Sequence, residues 1–373
     1  GWTVDNLWHI FTDFYGGQYA PLAFLSYLVL YAGFGYDPFY FHMFSLLLHI
    51  GCVCLVWKLI SSLLRVHGGV SEKQILYVNF ITTLLFAVHP INVEAVAWIS
   101  ALKVLLYAFF YLLGLLCYLR YIRTSKIFYY VLTIGCFLCS FWGKEQAVTF
   151  PLALLIVDWF TNRNMKNLEV WSEKMSFLIM AFFFGIITVL SQGKGPYEMI
   201  FPLYQRLLFG CFALVEYITK SLLPVNLNFF YPFPIVLGEE PPLHYYLYPV
   251  VLLFLMGWII AYRNNRYLVF GVLLFLVNLL FSIHLFNMSR HAIVADRYMY
   301  LSYVGIAFLI ANGIWWLRKR LSYFKAALVF LFFYCFFLSV YTFHYTKKRE
   351  NTTMVKKYTK EVLEKRLNGS NHL

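Results

Sequence analysis

A chain of 373 residues is long enough for two or three soluble domains, but its composition excludes them. Hydrophobic residues make up 61% of the chain and charged residues 13%, and the mean hydropathy is +0.68. Soluble domains run at roughly 45–50% apolar and about 25% charged, so there is too little polar side chain here to cover a water-facing surface. The formal charge of +13 would suggest nucleic acid in a soluble chain. In this one it marks cytoplasmic loops and attraction to anionic membrane lipid, and no nucleic-acid partner is expected.

Residues 1–20 are polar and aromatic, with Trp2, Asp5, His9, Asp13, Gly16 and Gly17 but neither an initiator Met nor an apolar stretch. No signal peptide is read there, and a membrane chain that begins in mid-loop is expected to lack its first span. A bilayer-crossing helix needs ~20 mostly apolar residues, and apolar runs then alternate with Lys/Arg clusters. The run 40–64 leads to Arg65, His67 and Lys73 on the cytoplasmic side. The run 75–88 returns to the outer turn His89-Pro90-Ile91-Asn92-Val93-Glu94. The run 104–119 goes in to Arg120, Arg123 and Lys126, and 127–142 with 147–160 forms a hairpin tipped by Gly143, Lys144, Glu145 and Gln146.

The loop 162–174, with Arg163, Lys166 and Lys174, reads as cytoplasmic, and 175–190 leads out again. Residues 206–223 are apolar but carry Arg206, Glu216 and Lys220. Such charges are costly at bilayer depth, so this segment reads as a helix at the outer interface or packed on the bundle, followed by a Pro-rich outer loop. The runs 248–262, 267–286, 298–317 and 326–344 complete a count of about ten spans. The fold class is therefore all-α, a polytopic transmembrane helix bundle over residues 1–345, with a short basic helical tail at 346–373. Seven cysteines lie almost all in apolar runs and imply no disulfide framework. His42 and His49, seven residues apart on one helical face, read as packed core polar residues rather than ligands.

Chemistry in such a chain should show as polar groups gathered at one membrane face. The outer face collects His89 and Glu94 in the Pro-broken turn, Lys144 and Glu145 at the hairpin tip, and Arg290, His291, Asp296, Arg297 and Tyr298 between two spans. His89 and Glu94 are the candidate catalytic pair, and Glu94 can serve as a general base or hold a divalent metal ion. Arg297 and Arg290, with Lys144, can clamp a phosphate, to which guanidinium geometry is suited. Each has a plainer alternative. Glu94 can cap the helix that begins near Val93, Asp296 and Arg297 can be a structural pair, and Lys144–Glu145 can be an ordinary hairpin tip.

A series of motifs narrows these alternatives. Gln18-Tyr19-Ala20-Pro21-Leu22, Phe41-His42 to Leu48-His49, the His89 to Ser100 block with Glu94-Ala95-Val96-Ala97-Trp98-Ile99, and Ala147-Val148-Thr149-Phe150-Pro151 occur in that order. Phe229-Phe230-Tyr231-Pro232-Phe233-Pro234 and Val294-Ala295-Asp296-Arg297-Tyr298-Met299-Tyr300-Leu301 complete it. Together they resemble the bacterial membrane proteins that carry tetratricopeptide repeats, relatives of the eukaryotic transmembrane O-mannosyltransferases. Both are of the GT-C glycosyltransferase type. The resemblance implies a multi-span enzyme that takes a sugar from a polyprenyl-phosphate donor and transfers it to a protein or glycan hydroxyl outside the cytoplasm. A bacterial inner membrane with a periplasmic or exterior site is expected.

The resemblance puts Glu94 at the second acidic motif and Arg297 at the arginine near the donor phosphate. The acidic pair of the first outer loop is not matched by Asp5 and Asp13. Where the family pattern continues Glu, Arg, Lys, Asp, this chain has Ala101-Leu102-Lys103-Val104, so of the four only the Lys is kept. Asn92 stands where the family has a second His, and the repeats are absent. A transporter or flippase of lipid-linked saccharides, or a non-catalytic scaffold of the same fold, remain the alternatives.

Overall fold

The computed structural model describes residues 4–14, 19–192, 201–228, 230–284, 292–348 and 360. Helices α1 (Val4–Thr12) and α2 (Pro21–Phe34) precede the long α3 (Pro38–His67). Pro38 opens α3 with Asp37 accepting from the Phe39 amide, a first-turn position where the missing N–H of proline costs nothing. Next come α4 (Glu72–Val88) and α5 (Val93–Ala97), then α6 (Leu102–Thr124), α7 (Ile127–Gly143), α8 (Phe150–Phe160) and α9 (Leu168–Gln192). The chain closes with α10 (Leu203–Leu222), α11 (Leu247–Ala261), α12 (Arg266–Leu279), α13 (Met299–Trp316) and α14 (Leu321–Lys347). Among the described residues the extended pairing is one isolated antiparallel bridge, Tyr231 with Val294. The protein is an all-α polytopic membrane bundle.

Six helical stretches are long and apolar enough to cross a bilayer, seven if α4 and the segment Pro90–Ala97, bent by 50°, count as one. That is fewer than the ten read from the sequence. The shortfall is geometric: α8 has 11 residues and reaches about 16 Å, whereas the hydrocarbon core is about 30 Å thick. Helix α10 is not among the six; it buries Phe209, Gly210, Ala213, Tyr217 and Lys220, so it packs on the bundle as its charges predicted. Helix α2, with 14 residues, was not foreseen. At the centre, α6 and α13 are the most buried spans, while α11 and α14 are almost wholly exposed, as lipid-facing helices must be.

Close helix approach needs small residues where no hydrophobic force acts between spans. A Cβ on Gly305 of α13 would lie 2.5 Å from the Gly271 carbonyl oxygen of α12, and one on Gly143 would lie 2.7 Å from the Tyr107 amide of α6. The two ends of the bundle differ. One gathers the basic turns: His67 Nδ1 donates to the Phe160 carbonyl at 2.7 Å, Asn162 donates to the His67 carbonyl, and Arg266 donates to the Trp159 carbonyl.

This basic end holds a buried network. Lys174 pairs with Asp158 and with the Tyr118 hydroxyl, and both ions are fully buried. Tyr118 donates to Asp158 at 2.8 Å, and Arg163 grips Glu173 through two nitrogens at 2.6 and 2.9 Å. The neighbouring carboxylate raises the pKa of Arg163 above its already high ordinary value. Arg163 and Lys174 are thus neutralised within the protein rather than being the solvated loop charges that the sequence suggested.

Candidate functional site

The opposite end is shaped by Pro90. Proline disfavours helical backbone in the residue before it, and His89 is extended at φ −71°, ψ 127°. The break turns the chain through one 3₁₀ turn, Pro90–Asn92, into α5. His89 shapes this turn through one ring nitrogen: it is buried, its Nδ1 accepts from the Ile91 amide at 3.2 Å, and its ring lies 4.2 Å from that of Tyr303. Asn92 donates to the Phe86 carbonyl at 2.7 Å, and Thr342 of α14 donates to the Val88 carbonyl.

Glu94 stands in the first turn of α5, and its carboxylate is engaged outside that helix. Its carboxylate accepts from the Arg297 amide at 2.8 Å and from Arg297 Nη1 at 2.7 Å. The Glu94 side chain is 3% exposed and that of Arg297 23%. Two charge-assisted bonds compensate the burial of the carboxylate. Arg297 belongs to the 3₁₀ turn Asp296–Tyr298 that leads into α13. Its guanidinium carbon lies 5.4 Å from the Trp98 ring and 5.1 Å from the Tyr298 ring.

Lys144 joins from α7. The helix ends at Gly143, Lys144 is extended at φ −160°, ψ 142°, and the 3₁₀ turn Glu145–Thr149 follows. The Lys144 ammonium lies 4.6 Å from the Tyr298 ring centroid, so Tyr298 is flanked by two cations. Lys144 is buried and Glu145 half-buried. Gln146 fixes this turn by donating to Ser282 at 2.7 Å.

Asp296 faces a different set. Tyr231 donates to it at 2.9 Å, Lys220 donates to the Tyr231 hydroxyl at 3.1 Å, and Tyr345 of α14 reaches it at 3.4 Å. Burial and the Asp296 carboxylate push the Tyr231 phenol well up. Asp296 therefore ties α10, α14 and the Pro-rich loop to the base of the site. Residues 285–291, with the predicted phosphate ligand Arg290 and with His291, lie outside the described residues.

The predicted Glu94, Lys144, Glu145, Arg297 and Tyr298 are thus brought to one end of the bundle. The sequence reading gave no role to Trp98, Lys103, Lys220, Tyr231 or Tyr345. Lys103 stands in the first turn of α6 and shares its electrostatic surroundings with Glu145, Tyr298 and Arg297. Charged or aromatic residues just after the Glu94 motif were the available signal for Trp98 and Lys103. No group of three His, Cys, Asp or Glu side chains among the described residues is placed to hold a metal ion. Glu94, the carboxylate predicted to hold a divalent ion, is engaged with Arg297.

No family model matches the chain, and no solved structure matches it. Among curated proteins it is 30% identical to protein O-mannosyl-transferase tmtc2 of Xenopus laevis over 203 residues, which is 50% of this chain and 23% of that protein. It is 33% identical to TMTC2 of Homo sapiens over 179 residues, 43% of this chain and 20% of the relative. With Tmtc3 of Drosophila melanogaster it shares 28% over 172 residues, 41% of this chain and 18% of the relative. The match spans about a fifth of the length of these relatives. Over that stretch the chain is similar to protein O-mannosyl-transferases of GT-C type, as the motif resemblance implied.

Proposed function

We propose that the protein transfers a sugar, a mannosyl group by the names of its relatives, from a polyprenyl-phosphate donor to a protein hydroxyl at the membrane face that carries Glu94 and Arg297. The observation that carries this reading is the cation arrangement around Tyr298: Arg297, immobilised by Glu94 at 2.7 Å, and Lys144, 4.6 Å from the ring. In the transfer the acceptor oxygen bonds to the anomeric carbon while the bond from that carbon to the phosphate oxygen breaks. The electron pair stays on the phosphate, whose charge rises from one to two. Fixed cations gain most where charge develops, so they favour the transition state over bound donor.

The acceptor hydroxyl loses a proton to a base. Glu94 is committed to Arg297 and Asp296 to Tyr231; Glu145, half-buried beside Lys144, takes this role in the reading. Arg290, which lies outside the described residues, is kept as a proposed phosphate ligand on its sequence position alone. The test is transfer of mannose from its polyprenyl-phosphate conjugate by the full protein in nanodiscs. Arg297→Lys is expected to lose at least tenfold in donor affinity, because an ammonium replaces a planar fork, with the melting temperature nearly kept. Unchanged transfer in Arg297→Ala would remove the assignment.

A further inference from the structure

The basic end carries a corner that neither the buried ion network nor the proposed transfer uses. Helix α4 starts there, α13 runs out into the 3₁₀ turn Leu317–Lys319, and α14 begins at Leu321. Three rings close the corner: Trp315 of α13 lies 5.6 Å from Tyr77 of α4, and Tyr77 lies 5.9 Å from Phe324 of α14. The Arg318 guanidinium carbon sits 4.2 Å from the Trp315 ring centroid. Lys319 and Arg320 follow, with Arg320 5.9 Å from the Tyr323 ring. Lys73 stands one turn before Tyr77 and therefore on the same face of α4.

These four cations are exposed, and among the described residues none has a carboxylate within ion-pair distance. Glu72, the acidic neighbour of Lys73, is held by Arg65 at 3.2 Å. The dipole of α13 favours cations past its carboxyl end, but Arg320 is the N-cap of α14, where a cation is disfavoured. Helix capping therefore does not account for the cluster. Stacking on Trp315 fixes the plane of Arg318 and leaves its N–H edge open to an anion. Toward the membrane the corner turns apolar, because Leu76 and Phe80 continue the Lys73–Tyr77 stripe of α4 and are 57% and 53% exposed. Cations at the head of an apolar stripe suit a lipid better than a free phosphate, and the surplus of positive charge selects a headgroup whose phosphodiester is not balanced by an amine. We propose that this corner binds one anionic glycerophospholipid, its phosphodiester anchored on Arg318 and attracted by Lys73, Lys319 and Arg320, with an acyl chain along Leu76 and Phe80. The lipid bridges three helices whose other ends reach the candidate site: α4 leads into the Glu94 turn, α13 follows Arg297, and α14 carries Tyr345 to Asp296. The inference stands apart from the sugar-donor reading.

The test adds phosphatidylglycerol or phosphatidylcholine of the same acyl chains to the delipidated full protein. Native mass spectrometry counts the lipid retained, and melting temperatures are read in nanodiscs of each lipid. Wild type should hold one phosphatidylglycerol per chain, about tenfold or more tighter than phosphatidylcholine, and should melt higher with it. Arg318→Gln should lose about fivefold or more in affinity, the weight of one basic residue at an anionic surface. Arg318→Lys, which keeps the charge without the stacked fork, should lose less. Arg263→Gln, which removes an exposed arginine elsewhere at this end, should change nothing. The melting temperature in phosphatidylcholine checks that the variants fold, and Lys73→Gln with Lys319→Gln carries the same expectation should Arg318→Gln unfold. Equal losses in Arg263→Gln and Arg318→Gln would reduce the corner to diffuse attraction and overturn the inference. Equal affinity for the two lipids, or displacement of phosphatidylglycerol by inorganic phosphate at constant ionic strength, would overturn it as well.

Discussion

Glu94 and Arg297, 203 positions apart, act as one unit. The carboxylate holds both the backbone amide and the guanidinium of the arginine, which makes Glu94 a positioning residue more than a base. Glu94→Gln keeps the shape and one acceptor oxygen but loses the charge-assisted bonds, worth about 1.5–3 kcal/mol. Melting temperature and donor affinity should therefore fall together, measured by thermal unfolding and lipid binding on the same preparation. If the melting temperature holds while turnover drops by 10²–10⁴-fold, the range of general acid–base assistance, Glu94 is the base after all. Glu145→Gln carries the complementary expectation: donor affinity is kept and turnover collapses.

Among the elements, the helices at the basic end are locked by ions that oppose each other in a dry place. Removing one partner of a buried pair costs about 3–5 kcal/mol, since the other charge is left uncompensated. Asp158→Asn should destabilise the protein by that order, read from denaturation in detergent, and the double variant Asp158→Asn with Lys174→Met should recover much of the loss. Additive losses would show that the pair is not coupled. This network also explains what the sequence hid. Apolar runs and their basic flanks located α3, α4, α6, α7 and α14 within a few residues, because length and hydropathy are local properties. Arg163 and Lys174 misled because some of their partners come from elsewhere in the chain, Asp158 on α8 and Tyr118 on α6. The number of spans was overread because α8 is as apolar as a span but half its length. Glu94, Lys144, Glu145 and Arg297 were each legible as polar groups in an apolar chain. That Glu94 would spend its carboxylate on Arg297 is a tertiary fact no spacing reveals.

For the whole molecule, the helices run between a basic end and the end that carries the site. Tyr345, near the close of α14, reaches Asp296, so that helix emerges on the site's side. Asn92 and Gln146 are buried, which makes them poor reporters of sidedness; Glu239 and Lys166 are exposed. In a background without the native cysteines, Glu239→Cys should react with an impermeant maleimide from outside and Lys166→Cys only after the membrane is opened. Reaction of both from one side would contradict the arrangement. The central claim is tested most directly by photolabelling the full protein in membranes with a polyprenyl phosphate that carries a diazirine beside the phosphate. Adducts should map to peptides containing Trp98 to Lys103 and Arg297 to Tyr298, should be displaced by unmodified polyprenyl phosphate, and should vanish in Arg297→Ala. Competed adducts confined to the Tyr118–Lys174 end, or labelling indifferent to Arg297, would contradict it.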